Sequence, residues 1–388
     1  MALKGITVLE FAGLAPAPFC GMILNEFGAN VIRIDKRNAR PFIEDTVGSG
    51  KKSLSINLKH EKGIAIVKHL VSKSDVLLEP FRKGVMEKLH LGPEVLCKEN
   101  PRLIYARLSG YGHDGPYSNM AGHDINYLAI SGILSLLGWR NKHPTPPSNL
   151  AADFGGGGLM CTLGIVMALF ERTRSGKGQI IDANMVEGSA YLGSWLARTQ
   201  NTFLWGQPRG ENMLDGGAHC YDTYKTKDDK FVAVAALEPQ FYAQLLDKLG
   251  MSEQELPQSD FEQGRIKLGD KFKTKTQAEW TEIFDQTDAC VTPILSLSEA
   301  TSHPHNVNRG SFIPNKEGLA VPAPAPRLSR TPGVSKFNEL NPSPGHHSIE
   351  ILQEFGYSEA KIQEFLHDGI VDCLDENNNC PDEMPSKL

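Results

Sequence analysis

The stretch Ile6-Thr7-Val8-Leu9-Glu10-Phe11-Ala12-Gly13-Leu14-Ala15-Pro16 opens the chain with a short apolar strand and a turn of small residues. From about Pro18 to Phe27 the apolar positions recur at helical spacing. Proline stands near the start and Gly28 just past the end, the asymmetry helices prefer. Val31-Ile32-Arg33-Ile34-Asp35 then reads as a second strand ending on a carboxylate. Strand, helix and strand in this order predict a βαβ unit, and with it an α/β fold of Rossmann character. The dinucleotide fingerprint itself fails, because its three glycines fall on Gly13, Ala15 and Pro18. The P-loop fails as well. Gly50-Lys51 is followed by Lys52 instead of Ser or Thr, and the first required glycine falls on Asp45. Neither a nicotinamide cofactor nor a nucleoside triphosphate is expected.

Outward from this unit the alternation continues, with a helix at about 61–72, strands at 76–79 and 103–108, a helix at about 156–173 and a strand at 179–183. Asn201 to Gly217 is rich in glycine and has no periodicity, the mark of a linker. A second α/β unit follows, with a strand at 231–237 and helices at about 239–249 and 277–284. A Pro-rich extended stretch from Pro322 to Pro344 reads as a strap, and two short helices follow at 348–355 and 358–365. The predicted organisation is a large Rossmann-like domain at 1–187, a linker at 188–217, a small domain at 218–310, a return strap at 311–345, terminal helices at 346–370 and a tail at 371–388.

The 388 residues carry 40 Lys+Arg against 46 Asp+Glu, a formal charge of -6. That balance gives no field to attract nucleic acid or an anionic membrane, so an anionic ligand needs a local basic cluster. No apolar run reaches the ~18 residues of a membrane span. The start of the chain lacks the apolar core of a signal peptide. Seven scattered cysteines without a CxxC pair favour a reducing compartment over a disulfide framework or a zinc site. Ser386-Lys387-Leu388 is the address read by the peroxisomal import receptor, and peroxisomal import is expected.

Three places combine titratable side chains with backbone suited to catalysis. In Ala121-Gly122-His123-Asp124-Ile125-Asn126-Tyr127 a tight turn enters a helix and leaves the Asp124 N–H unpaired. The same residues also fit an N-cap beside a surface histidine. In Asp153-Phe154-Gly155-Gly156-Gly157-Gly158 the carboxylate fits either a cap or a catalytic group. The four glycines imply that something approaches this backbone closely. Glu238 follows a predicted strand and precedes a Pro-initiated helix, the usual ligand side of an α/β unit. Basic residues gather at Arg33, Lys36 to Arg40, Lys51-Lys52 and Arg82-Lys83, as solvated charge or as a polyphosphate site.

Longer stretches resemble the class III (formyl-CoA-transferase-like) coenzyme A transferase family, in its racemase branch. They include Leu77-Leu78-Glu79-Pro80-Phe81-Arg82, Arg102-Leu103-Ile104-Tyr105-Ala106-Arg107, the His123 segment and Gly176-Lys177-Gly178-Gln179. Asn212 to Ala218, Glu238-Pro239-Gln240-Phe241-Tyr242 and Thr287 to Pro293 complete the set. The resemblance implies interconversion of the 2R and 2S epimers of 2-methyl-branched acyl-CoA thioesters, of the pristanoyl-CoA and bile-acid-precursor type. It implies a Rossmann-like large domain, a smaller domain, and two chains interlocked as a homodimer. His123 and Asp153 become the two α-carbon bases, Glu238 the partner of the histidine, and the Asp124 backbone N–H the donor to the thioester oxygen. Lys36, Lys51, Lys52, Arg82 and Lys88 become the CoA contacts, although relatives often carry arginine at such positions. No metal and no cofactor are implied, since CoA belongs to the substrate. The resemblance allows the mitochondrion as a second compartment.

The family's other chemistry makes Asp153 a nucleophile that forms a mixed anhydride and passes CoA to a second acid. That branch relies on a glycine-rich loop in the small domain. Val234-Ala235-Ala236-Leu237-Glu238-Pro239 has none, which favours the racemase. A CoA-ester carrier without catalysis is a third reading, opposed by the joint presence of His123, Asp153 and Glu238. His219 and Cys220 depart from the family's usual Pro and aromatic residue and are placed near the active site.

Overall fold

The structure is a computed structural model and describes residues 1–37, 45–315 and 317–374. Asn38 to Arg40 of the basic cluster and the Ser386-Lys387-Leu388 address lie outside the described residues. The chain divides into two compact units. The first comprises Met1–Ser131, Ser148–Leu192 and Gly310–Leu388, and the second comprises Gly132–Pro147 and Gly193–Arg309.

The opening stretch forms β1 (Thr7–Phe11), α1 (Pro16–Glu26) and β2 (Asn30–Lys36), as its pattern predicts. There follow β3 (Lys52–Ile56), α2 (Glu61–Ser72), β4 (Val76–Glu79), α3 (Val85–Lys88), α4 (Pro93–Glu99), β5 (Ile104–Ser109) and α5 (Asp124–Ile130). A π-helical turn at Leu150–Leu159 then runs into α6 (Met160–Ser175), before β6 (Ile180–Asn184) and α7 (Met185–Leu192). Strand β3 is missing from the sequence reading. Lys52-Ser53-Leu54-Ser55-Ile56 alternates as a strand does, but its lysines read as a surface charge cluster.

The second unit holds α8 (Ser194–Thr199), an antiparallel sheet of β7 (Tyr221–Lys225), β8 (Phe231–Ala235) and β9 (Val291–Pro293), and helices α9 (Pro239–Leu249), α10 (Phe261–Phe272), α11 (Gln277–Phe284), α12 (Leu297–Ser302) and α13 (Pro304–Arg309). Its core joins Val232 and Val234 to Leu245, Leu249, Leu268, Phe272, Trp280 and Phe284. The Trp280 indole N–H is satisfied by the Phe272 carbonyl at 2.8 Å. Back in the first unit come β10 (Phe312–Pro314), β11 (Ala320–Pro322), α14 (Ser348–Glu354), α15 (Glu359–His367) and β12 (Val371–Asp372).

The main sheet runs β12-β3-β2-β1-β4-β5-β6. Six of its strands are parallel in the doubly wound order 3-2-1-4-5-6, and β12 adds antiparallel at the edge beside β3. Alternate residues feed opposite cores. Leu9, Phe11, Ile32, Ile34 and Leu77 pack with α2, α4, α14 and α15, while Val8, Val31, Val76 and Leu78 pack with α1 and α6. Both faces are covered, which is why apolar residues on both sides of these strands are buried.

Residues 150–175 form one helical stretch long and apolar enough to cross a membrane by length and composition. The sequence reading places a shorter helix there, at about 156–173. Cys161, Ile165, Ala168 and Leu169 pack one side of α6 onto the sheet.

Candidate active site

The strand order reverses between β1 and β4, so the crevice outside their carboxyl ends is where this fold admits a ligand. The loops leaving the two strands meet there: a Cβ on Gly13 would lie 2.4 Å from Pro80 Cγ. A phosphate finds little at α1. Pro16 and Pro18 lack N–H groups, and the Phe19 N–H is spent on the Ala15 carbonyl at 3.0 Å. Of residues 16–19, Ala17 alone keeps a free N–H.

Helix α5 begins at Asp124, with His123 as its extended N-cap residue. The His123 N–H is held by Asn126 Oδ1 at 3.0 Å, and its ring is exposed. Among the described residues the Asp124 N–H has no partner, as the sequence predicts. Tyr127 locks the entry turn by donating its hydroxyl to the Gly122 carbonyl, and its ring stacks edge-on against Tyr111. Gly110, just past β5, fits because a Cβ there would meet the Tyr127 ring. Burial is the main cause pushing the Tyr127 phenol up to about 12, with Tyr111 and Asp153 adding and Arg82 opposing. Arg82 is thus close enough for its charge to act on this cluster.

Asp153 does not cap a helix. It lies inside the π-helical turn, and the capping acid is Asp124, whose Oδ2 accepts the N–H of Ala152 and of Asp153 at 2.8 Å each. The carboxyl of Asp153 receives Asn149 Nδ2 at 3.3 Å. Burial raises that carboxyl above the usual range and the charge of Asp124 adds to it, while Asn149 and His123 pull it down. His123, Asp124 and Asp153 are therefore neighbours. Their elements place an exposed imidazole, a free N–H and a half-buried carboxyl kept toward its acid form.

The close approach that the glycines after Asp153 imply is, at Gly156 and Gly158, an approach of other parts of the chain. Gly156 is pressed against α7, where a Cβ on Gly188 would sit 1.8 Å from the Gly156 carbonyl oxygen. Gly158 faces the Pro16 carbonyl at 2.7 Å from its own would-be Cβ. Phe154 meets Phe19 of α1 edge-on at 5.0 Å. These close approaches seat the turn carrying Asp153 beside α1.

Glu238 belongs to the second unit, where it is exposed and its carbonyl accepts the N–H groups of Phe241 and Tyr242 at the start of α9. Its charge raises the Cys290 thiol, after burial. His219 and Cys220 lie in the core of that unit. His219 Nε2 pairs with the Tyr242 hydroxyl at 2.8 Å, and burial, aided by Arg265, drives the imidazole down to about 4. Burial raises the Cys220 thiol and leaves it inert as a nucleophile.

The basic residues separate. Lys36 ends β2, Arg82 follows β4, and both are exposed on the carboxyl side of the sheet. Lys88 is exposed at the end of α3. Lys51 is a correction: its ammonium is fully enclosed, 2.9 Å from both Glu10 carboxylate oxygens and from the Pro18 carbonyl. All three donors are used, so none is left for a phosphate. Lys52 opens β3 at its amino end and pairs with Glu350 and Glu354, at 2.8 and 2.5 Å. Counting lysines in the sequence does not reveal a buried acid or which end of a strand a residue occupies.

Sequence reasoning missed the Asp124 carboxylate, Asn149, Tyr127 and the pair Glu79–Arg107. Glu79 Oε2 accepts the Phe81 N–H at 2.8 Å and Oε1 meets Arg107 Nε at 2.8 Å, fixing the loop that carries Arg82. A buried acid closing a central strand was the available signal.

Residues 3–348 match the family model described as CoA-transferase family III. The chain is 55% identical over 376 residues to the α-methylacyl-CoA racemase of Mus musculus and, equally, to that of Homo sapiens. Each match covers 96% of this chain and 98% of the relative. Among solved structures it resembles a CAIB/BAIF family protein from Brucella suis, with a TM-score of 0.76 at 25% identity. That match covers 91% of this chain and 99% of the other.

Proposed function

This chain belongs to CoA-transferase family III, and from that premise we propose that it is an isomerase, an α-methylacyl-CoA racemase acting on 2-methyl-branched acyl-CoA thioesters. The observation that carries this reading is the 55% identity, along 96% of the chain, to two racemases. The transferase reading has no comparable support.

In the proposed reaction His123 removes the α-proton from one face of the thioester while Asp153, as the neutral acid, returns a proton to the other. The roles reverse for the opposite epimer. Two such groups, each within about 2.6–3.2 Å of its proton, contribute roughly 10²–10⁴-fold apiece. Charge grows on the thioester oxygen, and the Asp124 N–H is the donor for it. The raised carboxyl of Asp153 supports its role as the acid. Glu238 orients His123 in this scheme, and CoA enters as part of the substrate, so the reaction needs no cofactor. Lys36, Arg82 and Lys88 are the proposed CoA contacts. Acyl groups of the pristanoyl and bile-acid-precursor type are the proposed substrates.

Two copies assemble in this reading, the large domain of one serving the small domain of the other. An apolar stripe running from the end of the π-helical turn along α6 supports it: Leu159, Leu163, Val166, Met167 and Phe170 are 41–59% exposed. The peroxisome is the proposed compartment, on the strength of Ser386-Lys387-Leu388.

The test is α-deuterium wash-in from D2O with each epimer of a 2-methylacyl-CoA. Racemase action predicts exchange with both epimers, and His123→Ala lowers exchange from one of them more than from the other. CoA transfer to a free carboxylic acid, without exchange, would favour the transferase.

A further inference from the structure

The geometry points to the carboxylate of Asp124 as a positioning residue that ties the Asp153 turn to the helix carrying His123. This rests on the racemase reading above and deepens it, since that reading uses only the Asp124 backbone. Asp124 is 4% exposed, so its side chain is sealed from water. Its Oδ2 accepts two consecutive N–H groups, Ala152 and Asp153, at 2.8 Å each, and those residues lie 28 and 29 positions further along the chain. One carboxylate thus anchors the peptide of one proton carrier while its own backbone follows directly on the other, His123. Charge-assisted bonds of this kind are roughly twice as strong as neutral ones. The spacing between two groups that must face opposite sides of one carbon is set by that anchor. A displacement of about 1 Å costs on the order of 10²-fold in rate.

The second oxygen carries the argument further. Asp124 Oδ1 is buried and has no hydrogen-bond partner among the described residues. A carboxylate kept half-satisfied in a dry site is a poor choice for mere folding, where an asparagine would accept the same two N–H groups without a buried charge. That charge lies beside Asp153 and favours its acid form. Asp124 therefore acts on Asp153 in two separable ways, by holding its backbone and by setting a negative charge near its carboxyl.

Two variants separate these. Asp124→Asn keeps an oxygen for both N–H groups and removes the charge, while Asp124→Ala removes both. The expected result for Asp124→Ala is a roughly 10²-fold loss of deuterium wash-in, with KM little changed. Its imbalance between epimers should match that of Asp153→Ala and be opposite to that of His123→Ala. Asp124→Asn should recover wash-in to within about tenfold and shift to lower pH the limb of the rate profile that Asp153→Ala abolishes. If Asp124→Ala does not fold, the Asn variant decides alone by its pH limb. Wild-type exchange with an unshifted limb in Asp124→Asn, or equal losses from both epimers in Asp124→Ala, overturns the proposal. Absence of exchange in the wild-type protein would instead remove the racemase reading itself.

Discussion

Glu79 stands at the carboxyl end of a central strand, fully buried, between the Arg107 guanidinium and the Phe81 N–H. Burial pushes its carboxyl up to about 7 against the pull of both partners. The folded protein therefore binds this proton more tightly than the unfolded chain does. The stabilisation it brings is complete below the ordinary value of 4.5 and is lost as pH rises toward about 7. Against Glu79→Gln, the wild-type protein should lose up to about 3 kcal/mol over that window. Urea unfolding of both proteins at several pH values measures it, and parallel pH profiles would contradict it. At the same scale Glu10 and Lys51 show why a lysine count misleads. Burial raises the Glu10 carboxyl, Lys51 opposes this, and the ammonium that read as a phosphate contact is consumed inside the fold.

At the scale of elements, the π-helical turn at Leu150–Leu159 carries the site. Its glycines let α1 and α7 close on it, and the same packing turns Asp153 away from any capping role. Glycine run and acid were both visible in the sequence. Their purpose was not, because glycine reports only that something comes close. Gly188→Ala should cost about 1–3 kcal/mol by overpacking, since its Cβ would meet the Gly156 carbonyl at 1.8 Å. Gly269→Ala, in α10 with nothing within 4 Å, should instead stabilise by about 0.5–1 kcal/mol. Unfolding midpoints of the two variants check the opposite signs. Equal shifts would sink the packing account.

At the scale of the molecule, α6 buries one side on the sheet and leaves an apolar stripe outward. Leu159, Leu163, Val166, Met167 and Phe170 recur at helical spacing on that outward side. If a second copy covers it, Met167→Glu combined with Phe170→Glu should shift the mass in light scattering from two chains toward one. A wild-type protein already monomeric at micromolar concentration would contradict the proposed assembly.

The βαβ opening was legible because each strand there is buried on both faces, so apolar runs and punctuating Gly and Pro mark its elements without reference to anything distant. The same holds for the start of α5, where Gly122-His123-Asp124 announces a free N–H from local geometry alone. By itself the sequence determined the α/β class and the failure of the dinucleotide motif, and it singled out His123, Asp153 and Glu238, with the Asp124 backbone N–H, as candidate residues. Only the tertiary structure decided which charges face which. Lys51 is spent on an acid 41 positions away, His219 sinks into a core, and the Asp124 carboxylate reaches a turn 28 residues on. Periodicity and capping act over a few residues, whereas burial and ion pairing depend on distances that exist only once the chain has folded.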